Sequence, residues 1–354
     1  MKRFLFLILM IILFNSCLEE ITLKDQKFET DAVIVQGKLI KGSPSIAEVK
    51  LERVGDFNGF QTATYLSGAS VKLIDEKGGA IELPEKFSQK IYAATIPQNH
   101  PNFRVETGKS YRLEFTLANG QRYESTLEPL QPVPVIDAVD FKKIERTRLN
   151  EDGVVVTDNY LQFLVSTQLK PADAQEKARL RWELFSAFRV TDDSGKLCYY
   201  YEPLVPSDVF IYNGDEFNVD KVDMLPQAEV LLNFRFAEGF YLTMVQESLS
   251  KEAFVYWDQI RKLIERSGNM FDPPPGKITS NLKNITNPEE EVYGYFYATE
   301  QDTFRMLIRP NEVGNPQTYC PLPPPKEPPP SPTWCDDCLL RQGSTLWKPG
   351  YWIE

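Results

Sequence analysis

From residue 30 to residue 130, apolar and polar side chains alternate with a period of two, broken at Gly, Pro and Asn. That is the pattern of strands buried on one face. It predicts strands over 32–39, 47–53, 69–75, 90–95, 110–118 and 121–127. Asn119-Gly120 between the last two predicts a tight hairpin, because a short turn with positive φ favours those residues. Short antiparallel strands at this spacing imply an immunoglobulin-like or prealbumin-like β-sandwich over 30–130. Gln131-Pro132-Val133-Pro134 then interrupts the ladder, so 131–135 is expected to be a linker.

The segment 136–320 again alternates as β structure, with predicted strands over 159–167, 178–190, 196–201, 209–212 and 228–245. One stretch changes period. Ala253, Phe254, Trp257, Ile260 and Ile264 fall on one side of a helix near 249–267, with Ser248 or Ser250 able to cap its start and Gly268 able to end it. That face is expected to pack as core, with Trp257 at its centre. Asp272-Pro273-Pro274-Pro275-Gly276 predicts a rigid turn, and 292–298 is expected to pair with 303–309 as a hairpin. The tail 321–354 opens with a proline-rich run suited to polyproline II and contains Cys335-Asp336-Asp337-Cys338. The expected fold is therefore mainly β: an N-terminal sandwich and a C-terminal β-rich domain carrying one packed helix.

The first residues do not belong to that fold. Lys2 and Arg3 precede an apolar run from Phe4 to Phe14, which is too short to span a bilayer and has the length of an export signal. Phe14-Asn15-Ser16-Cys17 places a small residue before a cysteine, as in a lipoprotein signal. Residues 1–17 are thus read as a signal ending at a lipidated Cys17, and 18–29 as a tether. Glu19 and Glu20 behind the lipid resemble an acidic signal for export to the outer face of an outer membrane.

Charge narrows the partners. The chain has 39 basic and 50 acidic residues, a net charge of −11, and loses Lys2 and Arg3 with the signal. Without a basic stripe interleaved with aromatics, nucleic acid is not an expected partner. Beyond Cys17 the cysteines are Cys198, Cys320, Cys335 and Cys338, an even number in an exported chain. Disulfides are expected, in any of three pairings, in preference to a zinc site or a redox dithiol. His100 is the single histidine, in Asn99-His100-Pro101-Asn102, so a His-pair metal site or a His-dependent triad has little to build on. Glu289-Glu290-Glu291 and Asp336-Asp337 lack calcium-loop spacing and are expected to be solvated faces. Tyr199, Tyr200, Tyr201, Trp334, Trp347, Tyr351 and Trp352 are read as packing residues first and ligand-stacking residues second. No catalytic, cofactor or metal residue is assigned.

Several segments together resemble one family. They are Val33-Ile34-Val35-Gln36-Gly37, Gly68-Ala69-Ser70-Val71, Gly108-Lys109-Ser110-Tyr111, Ser248 to Ala253, Phe271 to Pro275, Asn281 with Asn284, Asn287-Pro288-Glu289-Glu290, Gly294-Tyr295-Phe296, and the Cys-x-x-Cys followed by Lys348-Pro349-x-x-Trp352. The chain resembles a domain-of-unknown-function family of Bacteroidota outer-membrane lipoproteins encoded beside SusC-like TonB-dependent receptors, differing at Gln36, where the family more often has Glu. The resemblance implies an outer-membrane location and a receptor partner. The expectation is a non-catalytic surface lipoprotein that captures a ligand for such a receptor. A structural role in outer-membrane assembly is the alternative and a glycan-active enzyme the third.

Overall fold

A computed structural model of the chain describes residues 32–54, 63–150, 152–171, 174, 176–265, 278–320 and 333–353. Cys17, Glu19, Glu20, the Gly268 helix stop, the 272–276 turn and the 321–332 proline run lie outside the described residues.

The fold is mainly β. An eleven-stranded sheet runs in the order Ser344–Thr345, Leu197–Pro203, Arg179–Thr191, Phe240–Leu249, Val292–Ile308, Val33–Lys41, Ser45–Arg53, Ile91–Ile96 and Glu85–Lys86, with two short strands alongside. A six-stranded sheet is built around Ser70–Asp75, Ser110–Thr116 and Arg122–Ser125, and a three-stranded sheet from Ile136–Leu149, Val155–Gln168 and Lys221–Leu231.

The N-terminal alternation becomes a two-sheet sandwich. Val33, Val35 and Leu39 from one sheet meet Val71, Leu113 and Phe115 from the other, and all are buried. The predicted hairpin forms at Asn119-Gly120 with a loop one residue longer: Leu117 N donates to Gln121 O, and only Gly120 of the pair has positive φ, at 86°. A second core lies where the three-stranded sheet covers Arg179–Thr191 and Phe240–Leu249, with Phe163, Leu180, Phe188 and Phe240 at its centre.

Four expectations change. Residues 292–309 are not a hairpin but one strand, Val292–Ile308. Its first half pairs parallel with Val33–Lys41 and its second half antiparallel with Phe240–Glu247, so it joins the two halves of the molecule. Thr299-Glu300-Gln301-Asp302 contains no Gly, Pro or Asn, and each half finds a different partner. The predicted 228–245 strand divides into Lys221–Leu231 and Phe240–Leu249. Asn233 caps a 3-10 turn there and Gly239 takes a φ of 103°. The strand Ile136–Leu149 has no counterpart in the predicted set, because most of it is exposed and its alternation is weak. The division at 131–135 also leaves out of the sandwich the returning segments that complete it: Leu282, Val292, Phe296 and Ala298 are buried in the N-terminal core.

The helix runs Lys251–Ile264, shorter than 249–267. Ser250 is the cap, accepting from Ala253 N at 2.9 Å, with Glu252 in the first turn and Arg261 and Lys262 in the last. Only Ala253 is wholly buried. Phe254, Trp257 and Ile260 are half-buried and Ile264 is exposed. The helix therefore lies over the eleven-stranded sheet as a lid on a partly polar floor, and the expectation of a core-packed Trp257 is corrected. Among the described residues no helix is long and apolar enough to cross a membrane.

Candidate functional site

Three strand pairings assemble that floor. Lys38 lies opposite Tyr297, Arg181 opposite Glu247, and Glu247 opposite Gln301. Because side chains two apart share a face, Glu183 joins Arg181 and Tyr295 joins Tyr297. Seven polar side chains from four strands thus converge beneath the helix at the junction of the two cores.

Glu247 is wholly buried. It accepts from Arg181 at 2.8 Å, from the Tyr297 hydroxyl at 3.1 Å and from Gln301 at 2.7 Å, and pairs closely with Lys38. Burial works against its charge, but Lys38 and Arg181 outweigh it and hold the carboxyl down to about 2. Lys38 also lies 3.3 Å from Glu183, and Arg181 donates to Glu183 at 2.7 Å. Burial likewise opposes the Lys38 ammonium, yet the Tyr297 oxygen, Glu247 and Glu183 hold it well above the ordinary lysine value. Two cations and two carboxylates balance, which is how such a cluster survives away from water.

Above this floor a cleft of about 550 Å³ opens between helix and sheet, lined by aromatic Tyr256, Trp257, Tyr295 and Tyr297 and by Lys38 and Arg181. The Arg181 guanidinium sits 3.9 Å from the Trp257 ring centre, a cation–π contact that fixes the indole. Tyr256 stacks on Tyr295 at 4.8 Å. Trp257 Nε1 and Arg181 Nε are buried without a hydrogen-bond partner among the described residues.

Sequence reasoning placed Trp257 on the right face of the helix but did not single out Lys38, Arg181, Glu183 or Glu247. One signal was present: Gln246-Glu247-Ser248 is a polar run inside Phe240–Leu249, a strand otherwise mostly apolar and buried. On the opposite face Gln246 accepts from Trp182 Nε1 and donates to Pro134 O and Thr167, which ties the 131–135 linker to the second core.

The residues singled out from the sequence lie elsewhere. Cys198 is bonded to Cys338 and Cys320 to Cys335, so the Cys-x-x-Cys sulfurs join different partners and neither pair offers thiolates for zinc. Of the acids expected to be solvated, Glu289 and Asp336 are exposed, and several also hold turns. Asp336 accepts from Thr333, Asp337 caps Leu339 and pairs with Lys196, and Glu290 accepts from Tyr123 and Asn284. Tyr199 and Trp352 pack edge to face at 5.3 Å, Trp334 packs with Phe234 and Tyr319, and Tyr201 and Trp347 are exposed. His100 is half-buried and bonded through its backbone to Pro97.

The motif segments themselves meet. Val33 to Gly37 pairs in register with Val292 to Phe296, and Asn281 exchanges side-chain hydrogen bonds with both backbone groups of Phe296. Gly294 faces Val35 at a φ of 91°, where a Cβ would strike the Val35 carbonyl. No curated protein matches the chain. A family model described as Domain of unknown function (DUF4249) matches residues 19–305, most of the sequence. The chain belongs to that family, DUF4249.

Proposed function

We propose that the protein is a lipid-anchored ligand-capture protein at the outer face of an outer membrane, working beside a SusC-like TonB-dependent receptor. The observation that carries the reading is the cleft under the helix. Its aromatic wall and charge-balanced floor are what a small-molecule site needs: apolar surface for affinity and a few fixed polar groups for orientation. A balanced floor favours a ligand of low net charge. The anchor rests on Ser16-Cys17, the outward orientation on Glu19 and Glu20, and the receptor on the family resemblance.

The partner is tested by isolating the protein from native outer membranes and identifying what co-purifies. A TonB-dependent receptor is expected, and Cys17→Ser is expected to abolish membrane retention. Recovery of the protein with assembly machinery and no receptor would favour the structural alternative.

A further inference from the structure

The start of the helix is fastened by a second buried acid. Glu128, on the short strand Glu128–Pro129, is almost wholly buried. One of its oxygens accepts closely from the Ser250 hydroxyl, the same side chain that caps the helix, and the other accepts from Tyr295 OH at 3.2 Å. Tyr295 is the cleft residue on which Tyr256 stacks.

The groups around Glu128 distinguish it from Glu247. The helix start presents Ser250 and Glu252, and Val292–Ile308 presents Tyr295. Ser110–Thr116 places Tyr111 opposite it, with that hydroxyl committed to Arg104 O and Glu106 N, while Arg112 on the same strand pairs with Glu114. Among the described residues no lysine, arginine or histidine bonds to Glu128. Glu247 is held by two cations, and Glu128 by two hydroxyls.

We propose that Glu128 is a proton-operated latch on the cleft: neutral, it holds the first helical turn against Tyr295, and ionised, it draws water to that turn and lets the aromatic wall lift. A neutral carboxyl can donate to Ser250 Oγ while still accepting from Tyr295. An anion there has two hydroxyl donors and the helix N-terminus, against desolvation and the nearby Glu252 charge. Burial, opposed by the Ser250 and Tyr295 hydrogen bonds, pushes the group up to about 7, so the latch works near neutrality. The rest of the helix is thinly attached, with Ala253 its one wholly buried side chain, so loosening its start moves Tyr256 and Trp257. The consequence for a captured ligand rests on the capture reading, whereas the movement of the helix does not.

Hydrogen–deuterium exchange of the full chain in detergent, followed for peptides spanning 251–264 and corrected for intrinsic rate, tests the latch without any ligand. Protection is expected to fall about tenfold between about pH 6 and about pH 8 in the wild type, and to stay at its low-pH level in Glu128→Gln. Tyr295→Phe, which removes one donor to the anion and keeps the ring, is expected to move the midpoint upward. A flat wild-type profile, an unchanged drop in Glu128→Gln, or an unmoved or lowered midpoint in Tyr295→Phe overturns the proposal. Any of these leaves ligand capture by the cleft standing.

Discussion

Two buried glutamates under one helix carry opposite pH dependences. Glu128 binds its proton more tightly folded than unfolded, so its contribution to stability is complete below about pH 4.5 and is lost as pH rises through about 7. At about 1.4 kcal/mol per pH unit, the loss is on the order of 3–4 kcal/mol. Glu128→Gln should abolish that decline, which urea denaturation at several pH values would reveal. A variant that still loses stability between pH 5 and 8 as the wild type does would mean another group is responsible. Glu247 binds its proton more weakly when folded, so its contribution is present above about pH 4.5 and is lost as pH falls through about 2. Glu247→Gln leaves Lys38 and Arg181 with Glu183 as their remaining carboxylate partner. It should cost about 3–5 kcal/mol, the loss typical of breaking a buried ion pair from one side. A loss below about 1 kcal/mol in the same denaturation measurement would show that the cluster is solvated. Neither acid stands out in the sequence by spacing, since the partners of Glu247 lie on strands whose registers only the folded chain defines.

At the level of elements, the helix is the piece whose role changed most. Its amphipathic period and its Ser250 cap were legible, but what lay beneath it was not. Periodicity reports which face turns inward and says nothing of whether the floor is apolar. Because Trp257 is half-buried and rests on Arg181, Trp257→Ala should cost about 1–3 kcal/mol, less than the 3–5 kcal/mol of a fully buried ring, while removing much of the cleft wall. Calorimetry decides this, and a loss above about 4 kcal/mol would return the residue to the core. The longer N-terminal strands were legible to within about two residues, because each has one buried face, whereas the short Thr64–Tyr65, Ala80–Glu82, Glu85–Lys86 and Glu128–Pro129 carry too little alternation to be seen. Val292–Ile308 was not. A strand that changes partners midway has no sequence mark at the change, and the expected hairpin assumed that two alternating runs must turn back on each other.

Across the whole molecule, the cysteine count was informative and the pairing was not, since sequence spacing carries no distance. The observed bridges fasten the C-terminal segment to the second core, where Arg341 lies 4.2 Å from the Trp334 ring centre, while Trp352 packs on Tyr199 and Tyr241 in a separate cluster on the other face of the sheet. Reduction should cost about 2–5 kcal/mol per bridge, more for Cys198–Cys338, whose 140-residue separation closes the longer loop. An unchanged melting temperature on reduction would show that these bridges contribute nothing to stability. The motif segments read at the sequence level mark the parallel pairing that joins the halves, and the cleft lies on that junction. Ligand capture at this junction is the central claim, and native mass spectrometry of the protein isolated from its own membranes tests it most directly. A small molecule bound to the wild type, absent from folded Trp257→Ala and retained by Trp347→Ala, an exposed side chain that does not line the cleft, is the predicted result. A wild type carrying nothing, or a bound molecule indifferent to Trp257, would contradict it.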